Sequence, residues 1–555
     1  MTVTAPAPVP ASGPAPAADR RTPHERGGGF PRSFALLAAE AATAFGTALL
    51  LFVLCMRIRI NPLDRIGQVS GLAGVQLRLL VVLAAVLLGY FLLARVRPGA
   101  AVRLGAAAVA GLSSGVTASG IVMALRGTIW PISANTGDLG NLQQWAYNVI
   151  DGGSMPPEYP PGFPHVLAWT AELFFDGHVQ EASKWVMLGF LAIGGPVAYL
   201  AWRMLLSPLW ALGIGVTASL PLIDPVKPYS ALVLVVVIPV FAKLVQVVQE
   251  ASNRGRKISA LIGAGLGALL AALFLLYSGW FVWSSIGVVV LFAIVLVGLA
   301  RRSGMRGLLD GLLPLASAVV VFLALAGTYM IRLLGASGAT KDSYFYFDTY
   351  SDPAYFTMWG SSLPGPLRTV GYSDPAELGG VGLFTLVLIA GLGLAFALGL
   401  RRPLVLTLAA CTGSAFFLRY WYASHMARDQ AVQLYPRTSQ QIMYCLLALT
   451  GVAVLLLSDR VREWVRAGGL KLPGRVTAVK PRAAVIGVLC ALGLLFATAG
   501  SATAYTYMPK NPSDNSLGVL AWFSHNVQQP NGACPHYADK HVCTPYEPPK
   551  RSKKH

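Results

Sequence analysis

Three acids, Asp138, Asp151 and Glu158, fall within Thr136–His165, a polar stretch rich in Gly and Pro between long apolar runs. A carboxylate at a hydrated membrane edge stays ionised and can accept a proton from a hydroxyl, as general-base catalysis requires. Asp138 is the best candidate, because Gly137 before it lets backbone approach closely. The competing role is structural: an aspartate here can N-cap a helix over Leu139–Ile150. Asp151, followed by Gly152-Gly153, reads as a helix-end or turn residue. Glu158 is suited to orienting an acceptor or binding a divalent metal, with a solvated loop acid as the plain alternative. The sequence assigns no set of metal ligands and implies no other cofactor.

The elements that must position these acids are membrane helices. The chain has 555 residues, of which 55% are hydrophobic and only 12% charged. A soluble domain carries about 25% charged residues, so the composition predicts an all-α polytopic membrane protein. The net charge of +19 does not point to nucleic acid, because the basic residues cluster in short loops beside apolar runs. Thirteen runs are long or apolar enough to read as spans. They are Phe34–Met56, Leu77–Leu93, Leu104–Leu125, Trp185–Trp202, Leu209–Ile223, Tyr229–Val245 and Ile258–Leu276. Then follow Phe281–Ala300, Leu312–Met330, Val381–Leu400, Leu404–Trp421, Ile442–Leu457 and Ala483–Ala502. The fifth is short and reads as weakly tilted or re-entrant, which sets the expected count at eleven to thirteen.

The Lys/Arg bias places the N-terminus in the cytoplasm and the C-terminus outside. Cytoplasmic connections then carry Arg95, Arg97, Arg103, Arg203, Lys243, Arg254, Arg256, Arg301, Arg302, Arg401 and Arg402, while most acids fall on the other side. The first outer loop breaks the pattern, since Arg57, Arg59 and Arg65 outweigh Asp64. Glu40, inside the first span, reads as close enough to the cytoplasmic surface to stay hydrated. Residues 1–33 form a Pro/Ala/Gly-rich tail expected to be disordered, residues 34–502 the membrane domain, and residues 503–555 an extracytoplasmic tail. Two outer loops, 127–184 and 332–380, are too long to be plain connectors. In the first, the apolar Val166–Phe175 is too short to span and reads as a helix lying in the interface. The second carries an aromatic run, Tyr344–Trp359, suited to stacking on sugars or resting at headgroup depth.

Further motifs follow the acidic loop. They are Tyr159-Pro160-Pro161-Gly162, whose prolines stiffen the backbone, then Asp224-Pro225-Val226-Lys227-Pro228-Tyr229-Ser230, then Tyr277-Ser278-Gly279-Trp280-Phe281, then Arg419-Tyr420-Trp421 with His425 and Met426. With Thr136-Gly137-Asp138, these resemble the actinobacterial galactan arabinofuranosyltransferase family of GT-C membrane glycosyltransferases, over most of the chain from Gly71 onward. The resemblance implies a GT-C-like fold and transfer of a sugar, arabinofuranose in that family, from a polyprenyl-phosphate donor to a cell-envelope glycan. It implies a plasma-membrane location with the reaction on the outer face, and Asp138 as the reacting carboxylate. Leu139 stands where that family has a polar residue, and the tail is shorter than its outer domain, which leaves the acceptor open.

A lipid phosphate as leaving group calls for cations and N–H donors. Lys227, Arg419, His425 and Arg428 are the candidates, with Lys341, Arg368 and Arg437 behind them. Each has a plainer role open to it: pairing with headgroups or Asp224 for Lys227, snorkelling for Arg419, a structural contact for His425. Cys534 and Cys543 flank His536 and His541 and could together hold zinc. An oxidising exterior and a short loop favour a disulfide instead, stapling the tail. The reading from another functional class is a transporter or flippase of a lipid-linked saccharide. That class often carries midspan charges, broken helices and internal repeats, and the sequence shows few such charges and no repeat.

Overall fold

The computed structural model describes residues 30–336, 383–432, 435–467, 481–514, 516–538 and 542–546. Residues 1–29, the aromatic run Tyr344–Trp359, and the cations Lys341 and Arg368 lie outside the described residues. The chain is an all-α polytopic membrane protein. Among the described residues, ten helices are long and apolar enough to cross a membrane. They are α1 (Phe30–Met56), α2 (Arg65–Val96), α3 (Pro98–Ala124), α6 (Val179–Arg203), α8 (Pro228–Gln249), α9 (Arg256–Leu276), α10 (Gly279–Ala336), α12 (Pro403–Asp429), α13 (Thr438–Arg466) and α14 (Pro481–Thr506). Two shorter apolar helices, α7 (Pro208–Leu222) and α11 (Phe384–Gly399), complete the apolar set.

Among the described residues each of the thirteen expected runs overlaps a helix, but two of them share one. The 58 residues of α10 are far more than the ~20 that cross a bilayer. Its helical backbone is broken at Gly304, where φ is 63° and ψ −161°. That conformation suits glycine, and it lets the chain reverse without the loop the sequence suggested. α2 starts well before its apolar run because Asp64 caps it, accepting from the Gly67 N–H at 2.9 Å. α7 is irregular, with a π-helical stretch Ala211–Val216 and a 3₁₀ turn Leu220–Leu222.

α3 is the axis of the N-terminal half, fully buried over its apolar window and packed against α1, α2, α6 and α14. Its small residues permit this, as in other membrane helix contacts. A side chain at Gly111 would strike the Ala44 carbonyl oxygen of α1, and one at Gly120 the Ala504 methyl of α14. Outside the spans, α4 (Gly137–Ile150) and α5 (Gly162–Phe174) pair with each other. Their apolar faces, Leu139, Leu142, Phe163 and Leu167 among them, form a small core with Val179 and Tyr229. The opposite face of α5 exposes Trp169, Leu173 and Phe174, so this helix, too short to span, is apolar on both sides.

Glu40 departs from expectation. It is completely buried, with Oε2 accepting from Arg203 Nε at 2.7 Å and from the Tyr199 hydroxyl at 3.0 Å. Oε1 accepts from Arg203 Nη2 at 3.2 Å and lies 3.3 Å from Arg103 Nη1. Partners from α3 and α6, rather than water, satisfy the carboxylate.

Candidate functional site

Asp138 sits in the first turn of α4, and the N-cap position falls two residues earlier, on Thr136. The capping role expected as its alternative is therefore not the one it fills. Its carboxylate is ion-paired with Lys227 Nζ, the two side chains keeping 30% and 19% of their exposure. An acid in a first turn also interacts favourably with the helix dipole.

Lys227 is held by the loop it ends. Asp224 Oδ1 accepts from the Val226 N–H at 2.8 Å, an Asx-type turn. Pro228 then opens α8 at the first helical position, where its missing N–H is no loss. The next residue, Tyr229, hydrogen-bonds through its hydroxyl to that of Tyr159 at 2.8 Å and stacks on Phe163 at 4.1 Å. The stiff Tyr159–Gly162 segment is thereby braced against the start of α8. Gly162 in turn lies on the end of α9, where a Cβ would come within 2.7 Å of the Leu275 carbonyl oxygen. Immediately beyond that contact, Tyr277 accepts a hydrogen bond at 3.1 Å from Arg437 Nη1, and Trp280 Nε1 donates to the Ser230 carbonyl at 2.7 Å. Four motifs separated by up to about 140 residues in sequence thus meet at one end of the bundle.

The last two of them, Asp224–Ser230 and Tyr277, line a cavity of about 510 Å³ whose wall includes Asp224, Lys227, Tyr277, Arg437, Gln440 and Tyr507. Asp138 reaches it through Lys227. Burial, and then the nearby Arg437 guanidinium, push the Lys227 ammonium down to about 7; the Asp138 carboxylate against it acts in the opposite sense. Asp224 keeps some exposure along the cavity, yet burial raises its carboxyl above the usual range, against the lowering effect of the Val226 and Lys227 N–H groups and of Arg437. Burial also raises the Tyr507 hydroxyl, with the Asp224 charge adding to it.

The other expected cations are placed differently. Arg419 is completely buried. It donates to Ser439 Oγ at 2.8 Å and Thr438 Oγ1 at 3.3 Å, and lies 5.3 Å over the Tyr435 ring. It thus fixes the segment that carries Arg437. α12 continues to Asp429, and on its last turns His425 Nδ1 meets the Trp421 carbonyl at 2.7 Å while Arg428 pairs with Asp429 at 2.7 Å. None of these three lines the cavity. Glu158 is tied down by its backbone, whose carbonyl accepts from the Tyr329 hydroxyl at 3.3 Å. Among the described residues no group of three or more His, Cys, Asp or Glu side chains is placed to hold a metal ion.

The C-terminal tail helps to roof the site. Leu517 and Leu520 line the cavity with Tyr507. The helix α15 (Gly518–Asn526) docks on the end of α3 and the start of the first long loop. Ser524 Oγ donates to the Pro131 carbonyl, Thr128 Oγ1 to the Ser524 carbonyl, both at 2.6 Å, and His525 Nε2 meets the Ala124 carbonyl at 2.8 Å. Burial drives the His525 imidazole down to about 4, so it is neutral and structural. Cys534 and Cys543 form a disulfide with Cα atoms 5.7 Å apart, and beyond it Tyr546 accepts from Gln180 Nε2 at 2.7 Å.

Comparison with protein-family models and with curated proteins found no match to this chain. The likeness to arabinofuranosyltransferases therefore rests on the motifs alone. Sequence reasoning ranked Arg437 behind other cations and treated Asp224 only as a partner for Lys227. The available signal was charge placement: a cation just ahead of a span on the side poor in Lys and Arg needs its own reason.

Proposed function

We propose that this chain is a membrane glycosyltransferase that moves a sugar from a polyprenyl-phosphate donor to a glycan hydroxyl. The observation that carries the reading is the Asp138–Lys227 pair at a cavity that also presents Arg437. Without donor, the carboxylate and ammonium neutralise each other. A donor phosphate bound by Lys227 and Arg437 competes for the ammonium and frees Asp138. The acceptor oxygen then attacks the anomeric carbon, the bond from that carbon to the phosphate oxygen breaks, and polyprenyl phosphate leaves with the electron pair. Asp138 takes the hydroxyl proton. Charge-assisted hydrogen bonds to the departing phosphate are the main electrostatic contribution. The motif resemblance makes arabinofuranose the first sugar to try, a cell-envelope glycan the acceptor, and the outer face of the plasma membrane the location.

The test is Asp138→Asn in purified protein with a synthetic prenyl-phosphate arabinose and a short acceptor. Asparagine keeps the size of the side chain but accepts no proton, so turnover falls ~10²–10⁴-fold, the range for general acid–base catalysis. Donor binding persists. Turnover near wild type removes Asp138 from the reaction. A second reading, movement of a lipid-linked saccharide across the bilayer, is favoured by the irregular α7, whose end at Pro221 and Leu222 lines the cavity; broken helices recur in transporter sites.

A further inference from the structure

A second cavity, of about 530 Å³, lies between α2 and α14, apart from the site above. Its walls include Leu72, Leu79 and Leu80 on one side and Leu494, Ala497 and Ser501 on the other, with Tyr505 at one end. The flanking Leu77, Val81 and Leu495 are exposed, so the groove opens on the apolar perimeter of the bundle. From Leu494 to Tyr505 it runs eleven helical residues, or ~16 Å at 1.5 Å per residue. That is about half of the ~30 Å hydrocarbon core, the reach of one acyl chain within one leaflet.

The Tyr505 end is cationic. Arg65 lies 5.5 Å from the Tyr505 ring centroid and Lys510 4.7 Å from it. Neither enters an ion pair among the described residues. Asp64, the one acid in 57–65, spends its carboxylate on the Gly67 N–H. Arg57 and Arg59 stand exposed just upstream, in a loop anchored by Arg126 Nη1, which donates to the Met56 carbonyl at 3.0 Å. With Arg65, these are the arginines that break the topological charge pattern. We propose that the groove between α2 and α14 binds one anionic phospholipid, its acyl chain along the groove and its phosphate between Arg65 and Lys510.

The test measures lipid retention rather than sugar transfer, so it stands or falls independently of the reaction proposed above. Full-length protein in neutral detergent is given phosphatidylglycerol or phosphatidylcholine at equal mole fraction, and adducts are read by native mass spectrometry. Wild type retains phosphatidylglycerol in preference. In the double variant Arg65→Gln with Lys510→Gln that preference falls roughly 30-fold, from the contribution of two cations near an anionic headgroup. Lys510→Arg keeps the charge and the preference. Ser501→Trp fills the groove with both cations in place and loses phosphatidylglycerol. Equal retention of the two lipids by wild type, or an unchanged preference in the double variant, overturns the proposal. Displacement of phosphatidylglycerol by undecaprenyl phosphate at equal mole fraction would assign the groove to the donor lipid and overturn it too.

Discussion

Two charged clusters at opposite ends of the bundle use the same chemistry to different ends. Around Glu40, the carboxylate is fully buried and both oxygens are taken by Arg203, with Arg103 and Tyr199 completing the shell. Around Asp138, the carboxylate meets a lysine that itself faces a cavity of about 510 Å³ shared with Arg437 and Asp224. The first arrangement is geometrically saturated and ties α1 to α3 and α6. The second puts two cations on a cavity wall, Lys227 paired with Asp138 and Arg437 donating to Tyr277, and burial with the nearby Arg437 lowers the first to about 7. Saturation marks a brace; cations facing a cavity mark a place for an anion.

The contrast breaks most visibly at Glu40. Removing one partner of a buried ion pair leaves an uncompensated charge, a loss of about 3–5 kcal/mol. Glu40→Ala is thus expected to lower the melting temperature in detergent sharply, while transfer per folded molecule stays near wild type. If Glu40→Ala melts normally but stops transfer, the two clusters have been assigned the wrong way round. Next in size are the cavity cations. Lys227→Ala and Arg437→Ala each remove a charge-assisted hydrogen bond worth about 1.5–3 kcal/mol, so donor Kd rises ~10–100-fold. His425→Ala and Arg428→Ala leave it within about twofold, since neither side chain lines the cavity. Calorimetric titration with donor separates the pairs, and the reverse order would move the phosphate site to the end of α12.

The smallest effect sharpens the role of Lys227. In the proposed reaction its ammonium form binds phosphate, and its depressed value of about 7 sets the direction. Donor affinity is full below pH 7 and weakens by up to about tenfold per pH unit above it, as the free protein loses the proton. Lys227→Arg stays charged across the range, so its affinity is flat between pH 6 and 9. A wild-type profile as flat as the variant's would show that Lys227 stays protonated when free or does not hold the phosphate.

Much of the membrane fold is legible in the sequence, because ~20-residue apolar runs have one structural solution in lipid. The break at Gly304 is not, since a basic stretch between two spans reads the same whether it is a loop or a kinked helix. The Glu40 shell is hidden for another reason: Arg103 and Arg203 are its partners only after three helices pack. At the candidate site, Asp138, Lys227 and Tyr277 stood out through motifs that fold in space to one place. Choosing between Arg419 and Arg437 needed the packing, which buries Arg419 on α12 against Thr438 and Ser439 while Arg437, in the turn Tyr435–Arg437, lies on the cavity wall.

The most direct measurement is the reaction itself with wild-type protein. Purified chain in detergent is supplied with synthetic prenyl-phosphate arabinose, mannose or glucose and a short acceptor glycan, and released prenyl phosphate is counted against glycosylated acceptor. Release and transfer in equal amounts are expected from at least one donor. No release from any of them, together with movement of an intact lipid-linked saccharide across liposome membranes by the same preparation, would contradict the proposed reaction.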